Sequence, residues 1–200
     1  MPASFGYLLA VAKAIKTSPN WLAMAGVARG VVPNLNSLCN PSHPLTNMIA
    51  EEFQPKKGTT DKDLSINCIT NIRPYGLTIW GNRTLKRVPA TGCTATNFLN
   101  IRNMVSDIKK VLYSTAKALM FEQNTETLWL RFKSGVSPLL EQLVTGGGIS
   151  DYKIIRSDVN NDGNKLQRGE VAAVIKIFPI DAVEYFELMV EISDSDVTIA

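Results

Sequence analysis

Between Asn97 and Leu119 the apolar residues Phe98, Ile101, Val105, Ile108 and Leu112, with Thr115 and Leu119, recur every three or four positions, which predicts an amphipathic helix of about six turns. Asn124 or Thr125 can cap a second helix, with Leu128, Trp129, Phe132, Val136, Leu140 and Leu143 on its buried face and a stop at Gly146-Gly147-Gly148. Gly135 and Pro138 are expected to kink that helix or split it in two. An earlier helix over residues 5–16 is predicted from Leu8, Val11, Ala12 and Ile15, with Ser4 as its cap and Ser18-Pro19 as its end. The small-residue stretch from Trp21 to Leu38, with Gly26, Gly30 and Pro33, reads as an extended segment lying close against another element.

Other stretches carry strand or loop patterns. Ile66, Ile69, Ile72, Leu77, Ile79 and Trp80, interrupted by Pro74 and Gly76, predict two short strands and a turn. Residues 39–64 have the Pro-rich and charged composition of an exposed loop. Strand candidates lie at residues 152–159 and 170–180, and a third starts at Tyr185 and runs into the tail. The expected class is α+β: amphipathic helices on one face of a small mixed sheet, with residues 1–192 as the domain and 193–200 as a strand-forming arm. Around Glu191 and Ile192 and through Val197 and Ile199 the arm has strand chemistry but no obvious partner beyond the neighbouring hairpin. Such an end is either frayed or donated to the sheet edge of another molecule.

Composition narrows the function classes. Twenty-one Lys and Arg against eighteen Asp and Glu over 200 residues give a net charge of +3, far from the dense basic footprint of a nucleic-acid binder. The most apolar early stretch, Phe5 to Ile15, is too short for a bilayer crossing and has no basic flank, so neither a membrane partner nor an export signal is expected. Cys39, Cys68 and Cys93 are scattered and odd in number, which favours a reducing compartment.

No candidate chemistry survives close reading, and no catalytic residue, metal or cofactor is expected. Asp158, Asn160 and Asp162 followed by Gly163 begin like a calcium loop, but Gly169 stands where the bidentate acid belongs, so the string reads as a turn. Cys39 and His43 cannot assemble four metal ligands when the chain has one histidine, and no nucleophile elbow accompanies that histidine. Gly146 to Gly148 lack the Lys-Ser/Thr of a phosphate loop. Lys109, Lys110 and Lys117 form a basic stripe on the polar side of the long helix, either simply solvated or available to a partner.

Four strings in order resemble the C-terminal half of contractile phage tail sheath proteins. They are Asn20-Trp21 with Met24 to Gly30, then Asn71 to Gly76 leading to Trp80-Gly81-Asn82-Arg83-Thr84-Leu85. Next come Phe98 to Arg102, answered by Phe121-Glu122-Gln123-Asn124 where the family has F-E-P-N, and finally Trp129 through Gly169-Glu170 to Pro179 and Glu184. The resemblance implies a structural subunit that polymerises into hexameric rings around an inner tail tube, shortens on firing, and meets a baseplate and a tail terminator. It places the protein in the virion tail, and in the host cytoplasm during assembly. A component of a related injection or secretion system, sheath or baseplate, is the alternative it allows. In such assemblies terminal arms add strands to neighbouring subunits, which makes Glu191, Ile192, Val197 and Ile199 the expected exchange residues; Lys109, Lys110 and Lys117 become candidates for gripping the tube. Family members are usually longer, so the chain is expected to be a fragment or a shortened member lacking the N-terminal arm.

Overall fold

The structure, a computed structural model, describes residues 3–33, 65–156 and 171–184. Helix α1 spans Ala3–Thr17 and buries Gly6, Ala10 and Ala14, leaving Leu8 63% and Ile15 48% exposed. The spacing of Leu8, Val11, Ala12 and Ile15 thus finds the helix but not the side it buries. Small residues four apart make a flat stripe that can lie directly on a neighbour, and the helix uses it to approach Val32, Leu77 and Ile79. Ser4 falls inside the first turn and does not cap it.

The expected extended segment after Trp21 holds one helical turn, α2 (Gly26–Arg29), entered through Gly26 at φ 75. It then runs straight at Gly30 to Val32 and pairs with strand β2: Val32 N–H donates to the Leu77 carbonyl and Ile79 N–H to the Gly30 carbonyl, both at 2.8 Å. Strand β1 (Cys68–Ile72) and β2 (Gly76–Trp80) form the predicted antiparallel hairpin, with Thr70 opposite Thr78 and Ile69 opposite Ile79.

A short 3-10 turn, Ala95–Asn97, leads into α3 (Leu99–Ala118), whose buried face is Ile101, Met104 and Ile108, with Val105 and Leu112 partly buried beside them. Helix α4 (Glu126–Thr145) is capped by Thr125, whose side chain accepts from Leu128 N–H, and buries Val136, Leu140 and Leu143. It continues as one helix through Pro138, so no split occurs. Proline removes one amide, and since Pro138 and Ser134 both lie on the exposed side, water can meet the carbonyl freed at Ser134. Gly135 sits where α4 crosses α3; a Cβ there would lie 2.9 Å from the Thr115 methyl.

Strand β3 (Ile149–Ile155) pairs antiparallel with β4 (Val174–Pro179), with a register irregularity between Ile149 and Asp151. Tyr152, Ile154, Ile175 and Ile177 rest on the main core of Phe98, Ile101, Met104, Ile108, Val136, Leu140, Leu143 and Ile149. The α+β class holds. Among the described residues its strands form two separate two-stranded antiparallel sheets where one mixed sheet was expected. The third C-terminal strand candidate and the arm at 193–200 lie outside the described residues.

Candidate functional site

The strings singled out in the sequence meet at one buried polar junction between the two cores. Asn82 Nδ2 donates to Asn100 Oδ1 at 2.8 Å, and Asn100 Nδ2 donates to the Trp21 carbonyl at 2.9 Å. The Trp21 ring lies on the end of α4, where its Nε1 donates to the Gly146 carbonyl at 3.1 Å. Only glycine fits beneath that ring, because a Cβ on Gly146 or Gly148 would stand 2.8 or 2.9 Å from ring atoms. The loop after β2, the start of α3, the turn after α1 and the end of α4 are thus tied by side chains distant in sequence.

Arg83 is the second half of the junction. Its side chain is 1% exposed, its guanidinium stacks 4.1 Å from the Phe98 ring centroid, and both terminal nitrogens engage the Glu184 carboxylate. Its backbone is held reciprocally by Asn67, which accepts from Arg83 N–H at 2.9 Å and donates to the Arg83 carbonyl at 2.8 Å. A buried guanidinium needs a charged partner with good geometry, and Glu184 supplies it just past β4, pinning the departing chain to the body. Beside this pair an open groove of about 450 Å³ is lined by Trp21, Arg29, Trp80, Asn82, Asn100 and Glu184, among others, and among the described residues no Ser, Thr, Cys, His, Lys or Tyr lines it. Its described walls offer no nucleophile and base in the arrangement that covalent catalysis uses.

The three stripe lysines all project from the exposed side of α3. Lys110 is engaged at home: its Nζ lies 2.9 Å from Asp107 Oδ1, while Asn20 Nδ2 donates to the other oxygen at 2.6 Å. The bonds from Asn20 and Lys110 hold the Asp107 carboxyl below the usual carboxylate range. Lys109 and Lys117 stand on the same outer side with Tyr113, which is 72% exposed. Glu191, Ile192, Val197 and Ile199, like Cys39, His43 and the Asp158–Gly163 string, lie outside the described residues. Among the described residues no group of His, Cys, Asp and Glu is placed to hold a metal ion, and Cys68 and Cys93 are buried and unbridged, burial pushing the Cys68 thiol up. No described helix is long and apolar enough to cross a membrane.

Sequence reasoning missed the Arg83–Glu184 pair, which joins residues 101 positions apart. The only signal was Arg83 within the Trp80-Gly81-Asn82-Arg83-Thr84-Leu85 string, which by itself names no partner.

Residues 94–193 match the family described as phage tail sheath C-terminal domain. The tail sheath proteins of Vibrio phage KVP40 and Enterobacteria phage T4 are each 23% identical to this chain, over 92% and 88% of it. The chain spans only 25% of the length of either relative. In fold it is similar to a chain of the anti-feeding prophage baseplate (TM-score 0.74, 18% identical, 92% of this chain and 48% of that one). It is also similar to the sheath complex of an extracellular contractile injection system in its contracted state (TM-score 0.70, 18% identical, 92% and 49%).

Proposed function

Because the chain belongs to the phage tail sheath C-terminal domain family, we propose that it is a non-catalytic structural subunit of a contractile tail sheath. Copies associate into hexameric rings stacked around an inner tail tube, between a baseplate and a tail terminator, and the stack shortens to drive the tube. The observation that carries this reading is the family match across the α3–α4–β3–β4 body, together with 23% identity to two tail sheath proteins over most of the chain. The polar junction supports it, because its residues hold elements in place and present no reacting group.

In this reading the virion tail is the site of action. Residues 193–200 are the arm that enters a neighbour's sheet, with Glu191, Ile192, Val197 and Ile199 as exchange residues. A strand donated along an edge lets rigid bodies rotate while the connection persists, because the arm absorbs the change. Lys109 and Lys117, with Lys110 partly committed to Asp107, face the inner tube. Light scattering of the whole chain with and without residues 193–200 tests the reading: the intact chain polymerises and the shortened one stays monomeric. Equal behaviour of the two would refute it.

A further inference from the structure

The β3–β4 register sets two like charges against each other: Lys153 stands directly opposite Lys176. Both are exposed, and neither has a carboxylate partner among the described residues. Like charges at opposed positions destabilise a hairpin, so this pair works against the isolated fold. Around them the same outer face carries Phe178, 44% exposed, and Val174, 37% exposed, whereas the inner face of Tyr152, Ile154, Ile175 and Ile177 rests on the core. The same face also carries exposed Asp151, opposite Phe178, so the two opposed lysines outnumber its one acid, and a half-apolar face with that balance fits a partner that is both acidic and strand-forming.

The chain itself contains such a partner. From residue 181 to its end it holds Asp181, Glu184, Glu187, Glu191, Asp194 and Asp196 and no Lys, Arg or His. Within that stretch Glu187 and Glu191 alternate with Leu188, Val190 and Ile192, so a strand there would carry acids on one face and aliphatic residues on the other. In its own copy Glu184 is clamped by Arg83, whose guanidinium lies over Phe98, a residue of the core on which the hairpin's inner face rests.

We infer that Lys153 and Lys176 select the acidic carboxy-terminal segment of a second copy, with Glu187 and Glu191 as the matching charges. This rests on the strand-exchange reading above and adds what chooses the segment and its register: a strand shifted by one residue would turn the glutamates away from the lysines. Assembly should accordingly weaken as salt is raised.

The test uses the full chain as K153E/K176E and as E187K/E191K, each alone and mixed in equal amounts, with polymer followed by light scattering and folding by circular dichroism. Each variant alone should need roughly tenfold or more protein to assemble, the shift that about 1.4 kcal/mol per contact produces. The mixture should recover, because every contact in an alternating polymer is again between opposite charges. Variants that assemble like the original chain would overturn the charge pairing. Failure of the mixture, with recovery only when all four changes are in one chain, would show the segment serving its own hairpin. Should removal of residues 185–200 leave assembly intact, the strand-exchange reading itself falls; should that removal abolish assembly while K153E/K176E does nothing, only the charge inference falls.

Discussion

The two hairpins share a topology and differ in almost everything else. In β1–β2 the central residues Thr70, Leu77, Thr78 and Ile79 are all buried, because α1 and the Gly30–Val32 stretch cover what the hairpin would otherwise show to solvent. In β3–β4 burial alternates along β4 and from Asp151 to Ile154 of β3, and the outer face keeps Lys153, Lys176, Val174 and Phe178 exposed. A two-stranded ribbon is marginal on its own and needs a covered face or another strand. The first hairpin finds its cover within the chain, while among the described residues the second has only its inner face packed on the core, and its outer face offers a surface to a partner. Under the proposed function, the contrast separates residues that build the subunit from those proposed to join subunits.

Substitutions should divide along the same line. The largest loss is expected in the covered hairpin and its junction: Ile79→Ala should cost about 3 kcal/mol in chemical denaturation, since Ile79 is fully buried and its site is closed from both sides. A loss under about 1 kcal/mol would mean that β1–β2 is not part of the folding core. Glu184→Gln should cost roughly 3 kcal/mol by taking a bidentate carboxylate away from a buried guanidinium, whereas Arg83→Met combined with Glu184→Met should recover much of it. If the double variant is no better than the single one, the pair matters for more than its charge. Gly135→Val should cost about 1–3 kcal/mol, because Thr115 is β-branched and has little freedom to yield.

Effects in the open hairpin should be small and of opposite sign. Lys153→Glu turns a repulsive cross-strand pair into an attractive one and should stabilise the monomer by about 0.5 kcal/mol while weakening assembly. Smallest is the pH response of Asp107. Its folded pKa lies below the ordinary carboxylate value, so the stability it contributes is present above that value and lost as pH falls through the folded one. Asp107→Asn should flatten this part of an acid titration monitored by thermal melting, and an unchanged profile would remove Asp107 as its source.

Much of the subunit is legible in the residue pattern because its helices are long and strongly periodic. The stripes Ile101-Val105-Ile108 and Val136-Leu140-Leu143 point to the core, and the glycine stop after α4 falls where Trp21 needs it. Side-chain size misleads at α1, where small residues four apart do the contacting and the larger Leu8 and Ile15 stay outside. The polar side of α3 is legible, yet only coordinates reveal that Lys110 is already held by Asp107. The Arg83–Glu184 pair and the Lys153–Lys176 opposition are invisible in sequence for a shared reason. The first depends on how distant segments fold together and the second on a strand register, and neither follows from local periodicity.

Hydrogen exchange of the backbone amides, compared between monomer and assembled polymer, tests the division between the two hairpins most directly. Amides of Ile149–Ile155 or Val174–Pro179 should become protected on assembly, as a neighbour's strand bonds to an edge of this hairpin, while those of Cys68–Ile72 and Gly76–Trp80 should not change. Unchanged exchange in β3–β4 beside new protection in β1–β2 would contradict the account.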